Sequence, residues 1–116
     1  MPYIKEDRRV NLDDCIESMV DCLKGNISND NDKNPWSNPK NRGISNQELL
    51  DICGDINYSF SRVISAVMGE VTYPKIAIIT GVLENIKQEF YRRVAISYEN
   101  LKIQQNGDIK EYKKLS

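Results

Sequence analysis

Three short stretches of this sequence carry guanidinium groups, carboxylates and tyrosine rings at spacings that a helix would gather. In the first, about 100° of rotation per residue places Asp51, Asp55, Tyr58 and Arg62 on one helical face, with Gly54 beside them. In the second, Glu89-Phe-Tyr-Arg-Arg-Val94 supplies Tyr91, Arg92 and Arg93, with Tyr98 following, and the third holds Asp108 in Asn106-Gly-Asp. A guanidinium is a planar fork of donors that matches phosphate oxygens, and a tyrosine ring offers a stacking face to a base. Asn57, Glu89 and Asp108 add groups that can bond ribose hydroxyls. The candidate ligand-binding set is therefore Asn57, Tyr58, Arg62, Glu89, Tyr91, Arg92, Arg93, Tyr98 and Asp108, and its chemistry suits a small anionic, nucleotide-like molecule.

Each residue also has a plainer explanation. Tyr58 and Arg62 stand four apart, a pairing that is common on exposed helices. Gly54 costs about 1 kcal/mol in a helix interior and marks a position that another backbone or a ligand approaches closely. Arg93 projects about 60° from the centre of an apolar stripe, so it needs a partner: Glu89, a helix-end carbonyl, a bound anion or another chain. Arg92 points well away, toward solvent or an interface. Because protein interfaces favour the same residue types, an interaction module that inhibits or adapts a host protein is the alternative reading.

Composition narrows the field. The chain has no histidine, which removes the default general base and the commonest metal ligand. Lys and Arg number 16 against 17 Asp and Glu, a formal charge of −1, so no global field favours duplex DNA. Asp30-Asn-Asp-Lys-Asn34 opens like a calcium loop, but Pro35 stands where glycine is needed and Asn41 where a bidentate glutamate is needed. Gly81 lies inside a helix and the other glycines form no phosphate cradle. Asp13 and Asp14 read as helix-start acids, and Glu84 with Lys87 as an ordinary surface pair. No enzyme, metal or cofactor is expected. Cys15, Cys22 and Cys53 fall on apolar helical faces without C-x-x-C spacing and read as buried thiols.

These residues must be positioned by helices. At 116 residues and 40% hydrophobic content, a single domain with one modest core is expected. The reading is mainly α: a helix over 11–24, an Asn- and Pro-rich loop over 25–44 with Trp36, long helices over 45–68 and 72–97, and a β-hairpin over 101–112. Ser45-Asn-Gln-Glu48 is a capping box, and Leu49, Cys53, Ile56, Phe60, Val63 and Val67 follow as one stripe. Ile76, Ile79, Leu83, Ile86, Phe90 and Val94 form the next, with the two long helices packed antiparallel and the first helix across them. Asn106-Gly107 suits a type I′ turn, hence the hairpin. So small a core predicts self-association, by default as a homodimer. No stretch reaches membrane-spanning length, and a reducing, cytoplasmic setting is expected.

The opening Met1-Pro-Tyr-Ile-Lys5, the central Gly54-Asp-Ile-Asn-Tyr58 with Arg62, and the closing Glu89-Phe-Tyr-Arg-Arg-Val94, Tyr98-Glu99, Lys102-Ile103 and Asn106-Gly-Asp108 resemble a family of short uncharacterised proteins of phages, prophages, bacteria and archaea. The resemblance covers nearly the whole chain outside the Asn-rich loop. It implies a mobile-element context and no activity.

Overall fold

Acidic residues and hydroxyl side chains mark where the helices begin, because they satisfy the free N–H groups of a first turn. In the computed structural model, which describes residues 2–27 and 38–115, helix α1 spans Glu6–Gly25 with Glu6 and Asp7 in its first turn. It starts five residues ahead of the expected Asn11, and Arg9 Nε donates to the Ile4 carbonyl at 2.7 Å to hold the entering chain. Asp13 and Asp14 consequently lie in the helix interior. Asn26 closes α1 with its N–H on the Leu23 carbonyl, and the Ile27 N–H reaches the Lys24 carbonyl. Trp36 and the calcium-like run Asp30–Asn34 lie outside the described residues.

A short 3-10 turn, Pro39–Asn41, leads to α2, Asn46–Met68. The capping box is present: Ser45 Oγ accepts the Glu48 N–H at 3.2 Å and Glu48 Oε1 accepts the Ser45 N–H at 2.9 Å. Gly69, at φ +67°, ends the helix in a conformation that only glycine adopts freely.

The unit Tyr3–Glu70 is held by the α1–α2 approach. Lys24 Nζ donates to the Arg42 carbonyl at 3.0 Å, and Asn26 Nδ2 to Asp55 Oδ2 at 3.3 Å. These bonds draw α2 down by a face different from the expected one. Ile52 is 4% exposed, with Glu48, Asp55 and Ser59 half-buried along the same side. Leu49, Cys53, Phe60, Val63 and Val67 are exposed instead, and only Ile56 of the expected stripe is partly covered. Cys15 and Cys22 on α1 are exposed as well, so all three cysteines are free surface thiols rather than buried ones. In each case the thiol rides on an apolar helical face whose described residues stand largely exposed.

The unit built on Val71–Ser116 is organised around one long helical rod. Thr72 Oγ1 accepts the Lys75 N–H at 3.3 Å and Pro74 occupies the first turn, which starts α3, Tyr73–Phe90. The rod continues without interruption through a π-helical turn, Tyr91–Ala95, into α4, Ile96–Asn106. It therefore runs past the expected end at Ser97, and the β-hairpin of 101–112 is not formed. Among the described residues there is no strand. Leu101 extends the apolar spacing of the rod, Lys102, Gln104 and Gln105 are good helix formers, and Gly107 at φ +86° serves as a helix stop rather than a hairpin turn. Asp108 Oδ1 then accepts the Ile109 N–H at 2.8 Å, and a single further turn follows as α5, Lys110–Lys113. No helix among the described residues is long and apolar enough to cross a membrane.

Candidate ligand-binding groove

Where α1 crosses α2, Met19 from α1 meets Tyr58, Ser59, Arg62, Val63 and Ala66 from α2, lining an open groove of about 270 Å³. The spacing 58, 59, 62, 63, 66 is one helical face, and Met19 supplies a deformable apolar wall. Tyr58 is 65% exposed, and the Arg62 guanidinium carbon lies 5.9 Å from its ring centroid. That distance is within cation–π reach. The contact sits at the outer edge of cation–π distance, and the Arg62 N–H groups meet no carboxylate among the described residues. Asn57, one position before the pair, has its Oδ1 occupied by the Ser61 hydroxyl at 3.3 Å. The polar face read from the sequence thus splits in function: Asp55 is spent on Asn26, Asp51 accepts from Gln47 Nε2 at 2.8 Å, and Tyr58 with Arg62 is left to the groove.

In the other unit the candidates fall into separate places. Arg92 forms an ion pair with Glu89, with Arg92 Nε also within 3.4 Å of Glu89 Oε2. The partner foreseen for Arg93 therefore belongs to Arg92, and Arg93 carries no hydrogen bond or ion pair among the described residues. Tyr91 and Arg92 line a wider groove of about 550 Å³ with Glu84, Lys87, Gln88 and Ile96. Its charges are already matched, since Lys87 Nζ lies 3.9 Å from Glu84 Oε1 and Gln88 Nε2 donates to Glu84 at 3.1 Å. Tyr98 carries Lys102 Nζ 5.4 Å from its ring centroid, a contact whose four-residue spacing was visible in the sequence. Asp108 lines a third recess at the rod's end with Glu99, Lys102, Ile103, Ile109 and Tyr112. Of the Tyr58–Arg62 groove's lining, sequence reasoning missed Ser59, Val63 and Ala66, which share the helical face of Tyr58 and Arg62, and Met19, whose place depends on how α1 meets α2.

The strongest electrostatic feature lies at the α2 start. Arg42 clasps Glu48 with two bonds of 2.9 and 2.8 Å. The guanidinium, aided by the Ser45 N–H, lowers the Glu48 carboxyl to about 2, and Glu48 in turn raises Arg42 above its ordinary value. This pair ties the connecting segment to the helix and leaves no charge over for a ligand. Among the described residues no group of three carboxylates or thiols could hold a metal ion.

A family model described as "Domain of unknown function (DUF6899)" matches residues 1–109. The chain belongs to this family. The DUF6899 match takes in every candidate residue from Asn57 to Asp108 and ends just before α5. It agrees with the resemblance to short uncharacterised proteins seen in the sequence. No curated protein and no solved structure matches the chain.

Proposed function

We propose that this member of the DUF6899 family is a non-catalytic, cytoplasmic binding protein of a phage or related mobile element, which sequesters a small anionic, nucleotide-like ligand. The single supporting observation is Arg62, set against the Tyr58 ring in the lining of an open groove and unmatched by any carboxylate among the described residues. A phosphate would take the forked donors of Arg62, and a base would stack on the exposed Tyr58 face or against Met19. Of the other candidates, Arg92 is satisfied by Glu89, so it adds less to anion binding than Arg62. The mobile-element setting rests on the sequence resemblance. Tight binding without turnover is the mode that a site lacking histidine and an acid–base pair supports.

The experiment is a thermal-shift screen with linear and cyclic nucleotides followed by calorimetric titration. A ligand that binds only the folded state raises Tm, and Tyr58→Ala and Arg62→Ala should each remove that rise while leaving the unliganded melt in place. The bound nucleotide should be recovered chemically unchanged.

A second reading, a module that blocks or adapts a host protein, is favoured by one observation: Leu49, Phe60, Val63 and Val67 stand exposed along α2. Under it, nucleotides leave Tm unchanged and Phe60→Asp, rather than Arg62→Ala, abolishes retention of the host protein.

A further inference from the structure

The rod 73–106 carries apolar residues at Ile76, Ile79, Leu83, Ile86 and Phe90, in alternating steps of three and four, and then at Val94, Tyr98 and Leu101. Two successive steps of four would break the stripe in a regular helix: the eight residues from Phe90 to Tyr98 turn through about 800°, leaving Tyr98 about 80° off the Phe90 face. The π turn removes that error. The Ile96 N–H bonds the Tyr91 carbonyl five residues back, which puts one extra residue into the turn and returns Val94, Tyr98 and Leu101 to the line of Phe90. A costly, rare backbone feature thus keeps an apolar stripe straight over about 40 Å.

The stripe is open. Phe90 is 64% exposed, and of the eight side chains only Ile79 is half-buried. Covering them would remove about 700 Å² of surface from one chain and about 1,400 Å² from a pair, within the ~1,200–2,000 Å² of a stable interface.

We infer that this stripe is the seam on which a second copy of the same chain docks, with the two rods antiparallel and centred between Gln88 and Glu89. Antiparallel pairing sets Ile76 opposite Leu101, Ile79 opposite Tyr98, Leu83 opposite Val94 and Ile86 opposite Phe90. Every layer is then apolar against apolar, and the two-fold makes each contact occur twice. A parallel pair would instead stack each Phe90 and Tyr98 on its own copy and set Arg93 beside Arg93.

Charge supports the same direction. Helical side chains lean toward their own N-terminus, so in the antiparallel pair Arg93 and Glu89 of the second copy lean toward each other across the seam. Arg93, which has no ion pair among the described residues of its own chain, gains the carboxylate that Arg92 already holds. The inference stands independently of the ligand reading, which uses the other unit.

The test is sedimentation velocity of the full chain together with double electron–electron resonance between spin labels at Lys87→Cys, which flanks the seam, and, separately, at Asn100→Cys, each in a background where Cys15, Cys22 and Cys53 are serine. A two-chain mass is expected, with the labels at 87 within about 20 Å and those at 100 about 35 Å apart, from 1.5 Å per residue over 23 residues. A single-chain mass at 50 μM, or equally short distances at both positions as in a parallel pair, overturns it.

Discussion

Gly54→Ala separates what the fold needs from what a partner needs. Gly54 lies in the interior of α2, where a Cβ would meet nothing within 4 Å. Nothing among the described residues therefore requires glycine there. Alanine at an unhindered helix-interior position is better than glycine by about 0.5–1 kcal/mol, through lower backbone entropy in the unfolded chain. For a chain of this length that corresponds to a rise in Tm of about 2–5 °C. Calorimetric melts of the wild type and Gly54→Ala, at one protein concentration and without ligand, measure it; concentration is fixed because association would shift both transitions. A Tm that stays level or falls would instead mean that some group fills the space beside Gly54 in the folded protein. If the rise is found and nucleotide affinity drops in the same variant, the glycine serves close approach of the ligand rather than the fold.

Other consequences are direct. Glu48 titrates lower in the folded chain than its ordinary value near 4.3, so its stabilising effect is complete above that pH and fades as pH falls toward about 2. The stability difference between wild type and Glu48→Gln, measured by denaturant melts, should hold steady from pH 7 to 5 and shrink below pH 4.3. Gly107→Ala forces alanine to φ +86° and should cost about 1 kcal/mol or more, seen as loss of helicity toward the C-terminal end by hydrogen exchange. The three exposed cysteines should react with a thiol reagent at low concentration of native monomer, without denaturant; where the stripe faces of α1 and α2 are covered by a partner, Cys15 or Cys53 should slow first.

Much of the helical architecture was legible because its signals are local. Ser45 with Glu48, and Thr72 before Pro74, fixed the starts of α2 and α3, and Gly69 fixed the end of α2. What misled were signals with two physical uses. Asn106-Gly107 satisfies a hairpin turn and a helix stop equally, and the choice is made by Tyr98 and Leu101, whose spacing continues the helix once the π turn is included. The stripe of α2 correctly identified apolar residues but not their covering, because the face that meets α1 is the one with Ile52 and Asp55, where Asp55 accepts from Asn26. That displacement also explains the cysteines. For the site, the Tyr58–Arg62 pair was readable from spacing alone, whereas the exchange of Glu89 from Arg93 to Arg92 depended on rotamers that no pattern of residue types specifies.

We propose that Arg62, beside the Tyr58 ring, serves an anion from outside the chain. Native mass spectrometry of protein purified from cells in which its natural ligand is made tests it most directly, alongside Arg62→Ala prepared identically. The expected result is a wild-type species heavier than its polypeptide by the mass of a small phosphorylated molecule, with Arg62→Ala bare. Bare wild-type protein from those cells, or the same adduct on both proteins, would contradict it.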